Sequence, residues 1–530
     1  MHVRLGLGVV LGWSLYAACT AGATPAALAQ WSAPRLLAGC ARASSQAAPL
    51  VVFPSSQPQV RSGPGALVWS GPGGCGGGAA VASGAEAGAG GAETTQTYGA
   101  RLGSDGLPGR GRALLGAGEH PVEVAAVAGT ALGQVIALGD GVLAEGNSPG
   151  AFAAPLALDG PAAPVTVASG YLGDTAVVST IQVQKARSPV LDDASAPPRH
   201  TSRGGWDLAV RVQRHYSSTP GPARLLAAGA SKPSGLAVAM DYRGDVLVMW
   251  TTAAGAIDAR ELDAAGAFGP LERVGVGVGV SEPRVLISDD GRAIAVWRER
   301  APASARGGGP AVTRIKASIS GPGMSFTRAA LVERFTDLPG LEPPPGALRL
   351  TRLSSEAVMM AWTGMRAGRY VVRASPVSLR RGVWAPVTIS PRGRQALLAD
   401  LVAGPRAEVL ALWTTAPRLG DGSLDPRRVA IFAAWGHYGG HGEARFAAPE
   451  ALAAPGPNGL PAAAFDPQSD AALAAWTAGL RAPRIVYAQR AAGPPPPPLA
   501  LVAEIPLLCD YASIESSAMR IGTPLAACWK

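Results

Sequence analysis

The densest cluster of chemically capable side chains is the run "GHYGGHGE", which sets His437, His441 and Glu443 within a few residues of one another. Two imidazoles and a carboxylate at that spacing could hold a borderline cation such as zinc. The interleaved glycines, with alternating apolar runs on either side, read instead as a hairpin turn, and no metal is assigned. Elsewhere the potential for chemistry is thin. The six histidines include His2 in the N-terminal leader, and no Ser/His/Asp or Cys/His set stands out to supply a nucleophile and its base. "VGVGVGV" at 274–280 lacks the strand-to-helix setting of a phosphate loop. Arg243-Gly244-Asp245 reads as a turn. Asp241, Asp289, Asp290 and Asp466 recur near equivalent turns, where carboxylates satisfy backbone N–H groups. No catalytic residue and no cofactor is assigned.

The elements that would position any such group form a repeat. In residues 233–275 four short alternating runs follow one another: Leu236 to Met240, Asp245 to Trp250, Ile257 to Leu262 and Phe268 to Val274. Period-two alternation at this length predicts strands, and the intervening turns predict a four-stranded antiparallel meander. The second strand tends to end in tryptophan, at Trp69, Trp250, Trp297, Trp362, Trp413 and Trp476, with degenerate copies ending at Leu138 and Ser179. That makes eight second strands. Only seven fourth strands follow in order, near 108–115, 151–158, 219–226, 267–274, 325–332, 383–390 and 445–452. The last unit runs into "GPPPPP" instead, where proline offers no backbone donor. The missing piece is "QWSAPRLL", near the start of the chain. The expectation is an all-β fold: a β-propeller of four-stranded blades, eight by this count and seven if a weak unit drops out. Residues 30–38 would supply the closing strand of the last blade, leaving no sheet edge exposed.

These units resemble those of secreted bacterial β-propeller repeat proteins and are distantly similar to the sialidase-like group, over residues 30 to about 492. "SDDGRAIAVW" at 288–297 begins like the Asp-box of that group with Ser288, Asp290 and Gly291, but its tryptophan, Trp297, comes later than the box requires. The arginine triad and Tyr/Glu pair of such enzymes are not recognisable. The resemblance therefore implies a fold and not a sialidase activity.

Composition narrows the function classes. The net charge of +9 is dispersed over 530 residues of which 16% are charged, so no basic groove for nucleic acid is expected. Residues 1–29 have the basic, apolar and small-residue order of a signal peptide, with Gln30 as the first mature residue. An alternative is a lipid anchor on Cys19, although Tyr16 stands where lipidation prefers Leu or Val. No later run suits a transmembrane helix. A secreted, periplasmic or envelope protein, monomeric, is expected. In that setting Cys40 is expected to pair with Cys75 and Cys509 with Cys528, the second bridge being worth about 3 kcal/mol. Residues 493–498 read as a proline-rich linker and 499–530 as a tail outside the repeat.

Long insertions between the second and third strands fall near 70–93, 185–204, 300–312 and 415–428, in alternate units and all on one face. The expected function is a non-catalytic binding or scaffold module that recognises a protein or glycan through that face. The alternative is a glycan-active hydrolase or lyase with acidic residues on the same loops. Carboxylates converging at the mouth of the central channel would favour the enzyme, and an arginine-lined or apolar mouth the binding module.

Overall fold

A computed structural model of the chain describes residues 31–38, strand segments with adjoining residues between 50 and 182, and residues 206–491. Short gaps fall at 218–219, 231–232, 234, 302–309, 324, 338–347, 421–422, 440–441, 467–469 and 481–482. These residues belong to one compact unit, Ala29–Ala492. Among them there is no helix, and the strands form eight antiparallel sheets of four or five strands. The fold is an all-β propeller. In chain order the blades span 50–113, 126–157, 162–230, 236–276, 280–336, 348–388, 397–456 and 462–490, and are numbered 1 to 8 below.

Blade 4 shows how the sequence dictates the unit. Its strands are Leu236–Met240, Val246–Thr251, Ala256–Leu262 and Glu272–Val276. Every residue of the second strand is buried because a neighbouring blade covers each of its faces, so "VLVMWT" is apolar without interruption. In the first turn Asp241 Oδ1 accepts the N–H groups of Arg243 and Asp245, both at 2.9 Å, and Gly244 takes the φ of 87° that a side chain would resist. The fourth strand begins later than the alternation predicts. Phe268 makes only an isolated bridge to Leu262, and regular pairing resumes at Glu272 after Pro270, which has no N–H to give a ladder. The same interruption splits the outer strands of blades 6 and 7, into Gly382–Val383 with Val387–Thr388, and Ala444–Phe446 with Glu450–Gly456.

Residues 31–38 repeat this two-part form on the edge of blade 8. Trp31 bridges Arg490, and Arg35–Ala38 then pairs antiparallel with Arg484–Arg490, Arg35 opposite Tyr487. Gln489 N–H donates to Ser32 Oγ at 3.0 Å, and Ser32 N–H donates to the Gln489 carbonyl at 2.7 Å.

The tryptophans lie between blades and follow one rule: each shares a buried cluster with the blade before its own. Trp250 packs with Val178 and Leu208 of blade 3, Trp297 with Met249 and Ile257 of blade 4, and Trp362 with Ile294 and Val296 of blade 5. Trp413 packs with Met359 and Val372 of blade 6, and Trp476 with Leu412 and Ile431 of blade 7. Trp69 of blade 1 obeys the same rule by packing with Leu473 and Ile485 of blade 8. Burying an indole of about 150–250 Å² contributes at most roughly 4–6 kcal/mol each, which makes these contacts the main apolar joints of the fold. Glycine is needed where a ring presses on backbone. A Cβ on Gly275 would sit 2.5 Å from the Trp297 ring, which accounts for one glycine of the "VGVGVGV" connection.

Candidate functional face

The candidates read from the sequence fall in a strand, in turns and outside the described residues. His437 lies in the strand Val429–Tyr438, opposite Glu408 on one side and Arg445 on the other. Glu443, exposed, pairs with Arg445 at 3.1 Å. His441 lies outside the described residues, as do Cys19, Cys40, Cys75, Cys509 and Cys528. Among the described residues no three His, Cys, Asp or Glu side chains stand close enough to hold a metal ion. Ser288, Asp290 and Gly291 form the first turn of blade 5, where Ser288 Oγ is 2.5 Å from Asp290 Oδ1 and Arg292 pairs with the same carboxylate. This turn clips itself together and presents no reactive group.

In each blade the first and third turns emerge on one face, called the turn face below. The second turn and the link to the next blade emerge on the other, the loop face. The turn face holds a cluster that sequence reading missed because its members lie far apart in the chain. Asp174, at the start of the second strand of blade 3, accepts Arg214 Nη1 at 2.6 Å and the His215 backbone N–H at 2.8 Å. Arg214 Nη2 continues into blade 4, donating to the Ala264 carbonyl at 2.6 Å. Burial alone would raise the Asp174 carboxyl, but the hydrogen bonds from Arg214 and His215 outweigh it and hold the group below the usual carboxylate range. The result is an electrostatic clamp between adjacent blades.

Charge also sits on the innermost strands. Arg284, on the first strand of blade 5, donates from Nε to the Leu348 carbonyl of blade 6 at 3.1 Å. Burial, reinforced by nearby Arg349, pushes its guanidinium down to about 10. Arg349 Nε is 3.8 Å from Asp400 of blade 7, and Asp400 Oδ2 accepts the Ala463 N–H of blade 8 at 2.9 Å. Burial raises the Asp400 carboxyl, and Arg349 and two backbone N–H groups offset part of that. The described inner strands thus carry two carboxylates, each beside an arginine: Glu282 pairs with Arg298 at 2.6 Å, and Asp400 lies 3.8 Å from Arg349.

On the loop face a cleft of about 390 Å³ lies where blade 6 meets blade 7, lined by Arg369, Arg394, Gln395, Thr415, Arg418 and Arg428 among others. Three segments build it. The first is the tight hairpin between the second and third strands of blade 6, where Ala367 and Gly368 both take positive φ, 48° and 69°, so that Arg366 and Arg369 face each other across the turn. The second is the link from blade 6 to blade 7, anchored by the Tyr370 N–H to Gln395 Oε1 at 2.7 Å and the Ala396 N–H to the Tyr370 carbonyl at 2.9 Å. The third is the insertion 416–428. It folds as a small hairpin of its own: Arg418 bridges Leu424, Leu419 N–H reaches the Ser423 carbonyl at 2.8 Å, and Asp425 N–H reaches the Pro417 carbonyl at 2.9 Å. Leu424 packs inward against a core cluster, so this insertion is seated on the blades. Residues 73–93 of the first insertion, all of 185–204, 302–309 of the third and 421–422 of the fourth lie outside the described residues, while 70–72 end the strand Ala66–Pro72.

No protein-family model matches the sequence, and no curated protein matches it. Among solved structures the chain is similar to the BP39L lectin from Burkholderia pseudomallei, at 14% identity and a TM-score of 0.39 over 68% of this chain and 92% of the lectin. It is also similar to the Hadza microbial sialidase Hz136, at 13% identity and a TM-score of 0.33 over 68% of this chain and 73% of the sialidase. A third likeness is to YCF48 bound to D1 peptide, at 11% identity and a TM-score of 0.36 over 89% of this chain and 99% of that one. At these scores none of the three carries a ligand or a reaction over to this chain.

Proposed function

We propose that the chain is an exported, eight-bladed propeller, closed into a ring by residues 30–38, that serves as a rigid module binding a glycan or protein through its loop face. The observation that carries this reading is the insertion 416–428, folded as a hairpin against the blades beside a cleft of about 390 Å³, a size suited to a small ligand. Support for binding over hydrolysis comes from the described inner strands, where the carboxylates of Glu282 and Asp400 each face an arginine, Arg298 and Arg349, and do not stand as a free pair. Export is supported by the signal-like order of residues 1–29, and a mature chain beginning at Gln30 would be seen directly by mass spectrometry. No helix among the described residues is long and apolar enough to cross a membrane.

The deciding experiment is a glycan array probed with the purified mature protein. Selective capture of a glycan class is expected, and it should be lost when 419–424 is replaced by a two-residue turn. Capture of nothing, or release of cleaved or unsaturated sugar products, would overturn the reading. The latch is tested separately by deleting residues 30–38. A sharply lowered melting temperature and aggregation through the bared edge of Arg484–Arg490 are expected, and an unchanged melting temperature would refute it.

A further inference from the structure

We infer that the cleft between blades 6 and 7 is an anion site, and that the ligand of the loop face is a glycan bearing sulfate or carboxylate groups. This rests on the reading of that face as a glycan-binding surface. Arginines from three separate segments converge on the cleft: Arg369 from a strand end, Arg394 from the link between blades, and Arg418 and Arg428 from the two ends of the insertion. Arg369, Arg394 and Arg428 have no ion-pair partner among the described residues. Gathering like charges around one concavity costs free energy unless an anion fills it.

An arginine-rich composition does not by itself produce such a site. Lysine occurs four times in the chain against forty-two arginines, yet elsewhere on the loop face arginines are neutralised within the protein. In blade 5, Arg298 pairs with Glu282 at 2.6 Å and Arg300 with Asp337 at 2.7 Å. The cleft thus departs from the pattern of the adjoining blade, in the direction of an unfilled cationic site.

The lining defines the ligand further. Guanidinium forks match the paired oxygens of a carboxylate or a sulfate ester. Gln395 uses Oε1 on the Tyr370 N–H, which leaves its amide N–H groups as donors, and Thr415 adds a hydroxyl. These suit the hydroxyls and oxyanions of a sugar. The lining contains no aromatic ring on which a nucleobase could stack, which disfavours a polynucleotide as the source of negative charge. A volume of about 390 Å³ accommodates one or two sugar rings and leaves the rest of a chain in solvent.

The test is titration calorimetry of the purified mature protein with three oligosaccharides of equal length: a sulfated one, a uronate and a neutral parent, alongside a single-stranded oligonucleotide of matched charge. A triple variant, R369A/R394A/R428A, is compared with R380A on the turn face. The expected result is binding of a charged oligosaccharide at least ~tenfold tighter than the neutral parent, weakened ~100-fold or more in the triple variant and unchanged in R380A. Whichever charged arm binds more tightly identifies sulfate or carboxylate as the group recognised. Equal binding of charged and neutral sugars, an unaffected triple variant, or equal binding of the oligonucleotide would overturn the inference. The first two outcomes would leave glycan recognition by the propeller standing, whereas binding of no sugar at all would remove both.

Discussion

The turn face of this propeller and the cleft between blades 6 and 7 use arginine in opposite ways. On the turn face Arg214, Arg243, Arg292, Arg352, Arg380, Arg406 and Arg445 each have a carboxylate within ion-pair distance. Several of these pairs join consecutive blades, as Arg352 of blade 6 does with Asp289 of blade 5 at 2.7 Å, and Arg406 of blade 7 with Asp470 of blade 8 at 2.7 Å. In the cleft of the loop face Arg369, Arg394 and Arg428 converge with no such partner among the described residues. A charge that is matched internally contributes to holding blades in register, and a charge left unmatched is available to something outside the fold.

That contrast can be broken most forcefully at Asp174. Replacing it by alanine strands the Arg214 guanidinium between blades 3 and 4, and a loss of about 2–3 kcal/mol in urea denaturation is expected. A loss below ~0.5 kcal/mol would mean that the clamp is ornamental. Acid should act on the same group. Because the Asp174 carboxyl is held below its usual range, its contribution is complete above the ordinary carboxylate pKa of about 4 and drains away as pH falls through the folded value. Asp241 and Asp400 are raised by burial and act in the opposite sense, so they soften the loss. The urea midpoint of Asp174→Asn should therefore fall less between pH 6 and pH 3 than that of the parent. A parallel pair of curves would remove Asp174 as the acid-sensitive group. Smaller still is the exposed pair Arg380–Glu356, where Arg380→Ala should cost no more than ~0.5 kcal/mol by the same measurement. At the bottom of the scale, R369A/R394A/R428A should leave stability within ~0.5 kcal/mol of the parent or raise it slightly, because it removes repulsion and breaks no ion pair among the described residues, only the long contact of Arg394 over the Phe432 ring at 5.9 Å. A clear destabilisation would show that the cleft arginines serve the fold.

The blade architecture was legible because it repeats. A tryptophan closing an apolar run marks the second strand from Trp69 to Trp476, and even the degenerate copies ending at Leu138 and Ser179 lie in second strands, Val135–Gly139 and Thr175–Gln182. Strand limits were less legible where proline intervenes, since the alternation continues through Phe268 while the ladder waits until Glu272. The Asp174 cluster and the arginine cleft were hidden for a different reason. Arg214 is 40 residues from Asp174, and the cleft takes single arginines from a hairpin, a link and an insertion. No local spacing records either meeting. What brings them together is the stacking of one blade on the next, whereas "GHYGGHGE" drew notice only because its residues are adjacent in sequence.

The pairing of Ser32 with Gln489, 457 positions apart, has a consequence for how the chain is made. Synthesis begins at the N-terminus, so the outermost strand of blade 8 is among the first pieces to emerge and the last to find its neighbour. Through all the intervening synthesis that strand has no sheet to join, and blade 8 in turn emerges with an open edge. The later blades can stack in the order in which they appear, as Trp250, Trp297, Trp362, Trp413 and Trp476 each pack on the blade before. The eighth is completed only when the two ends of the domain meet, a contact between strands more than 440 residues apart of the kind that slows folding in general.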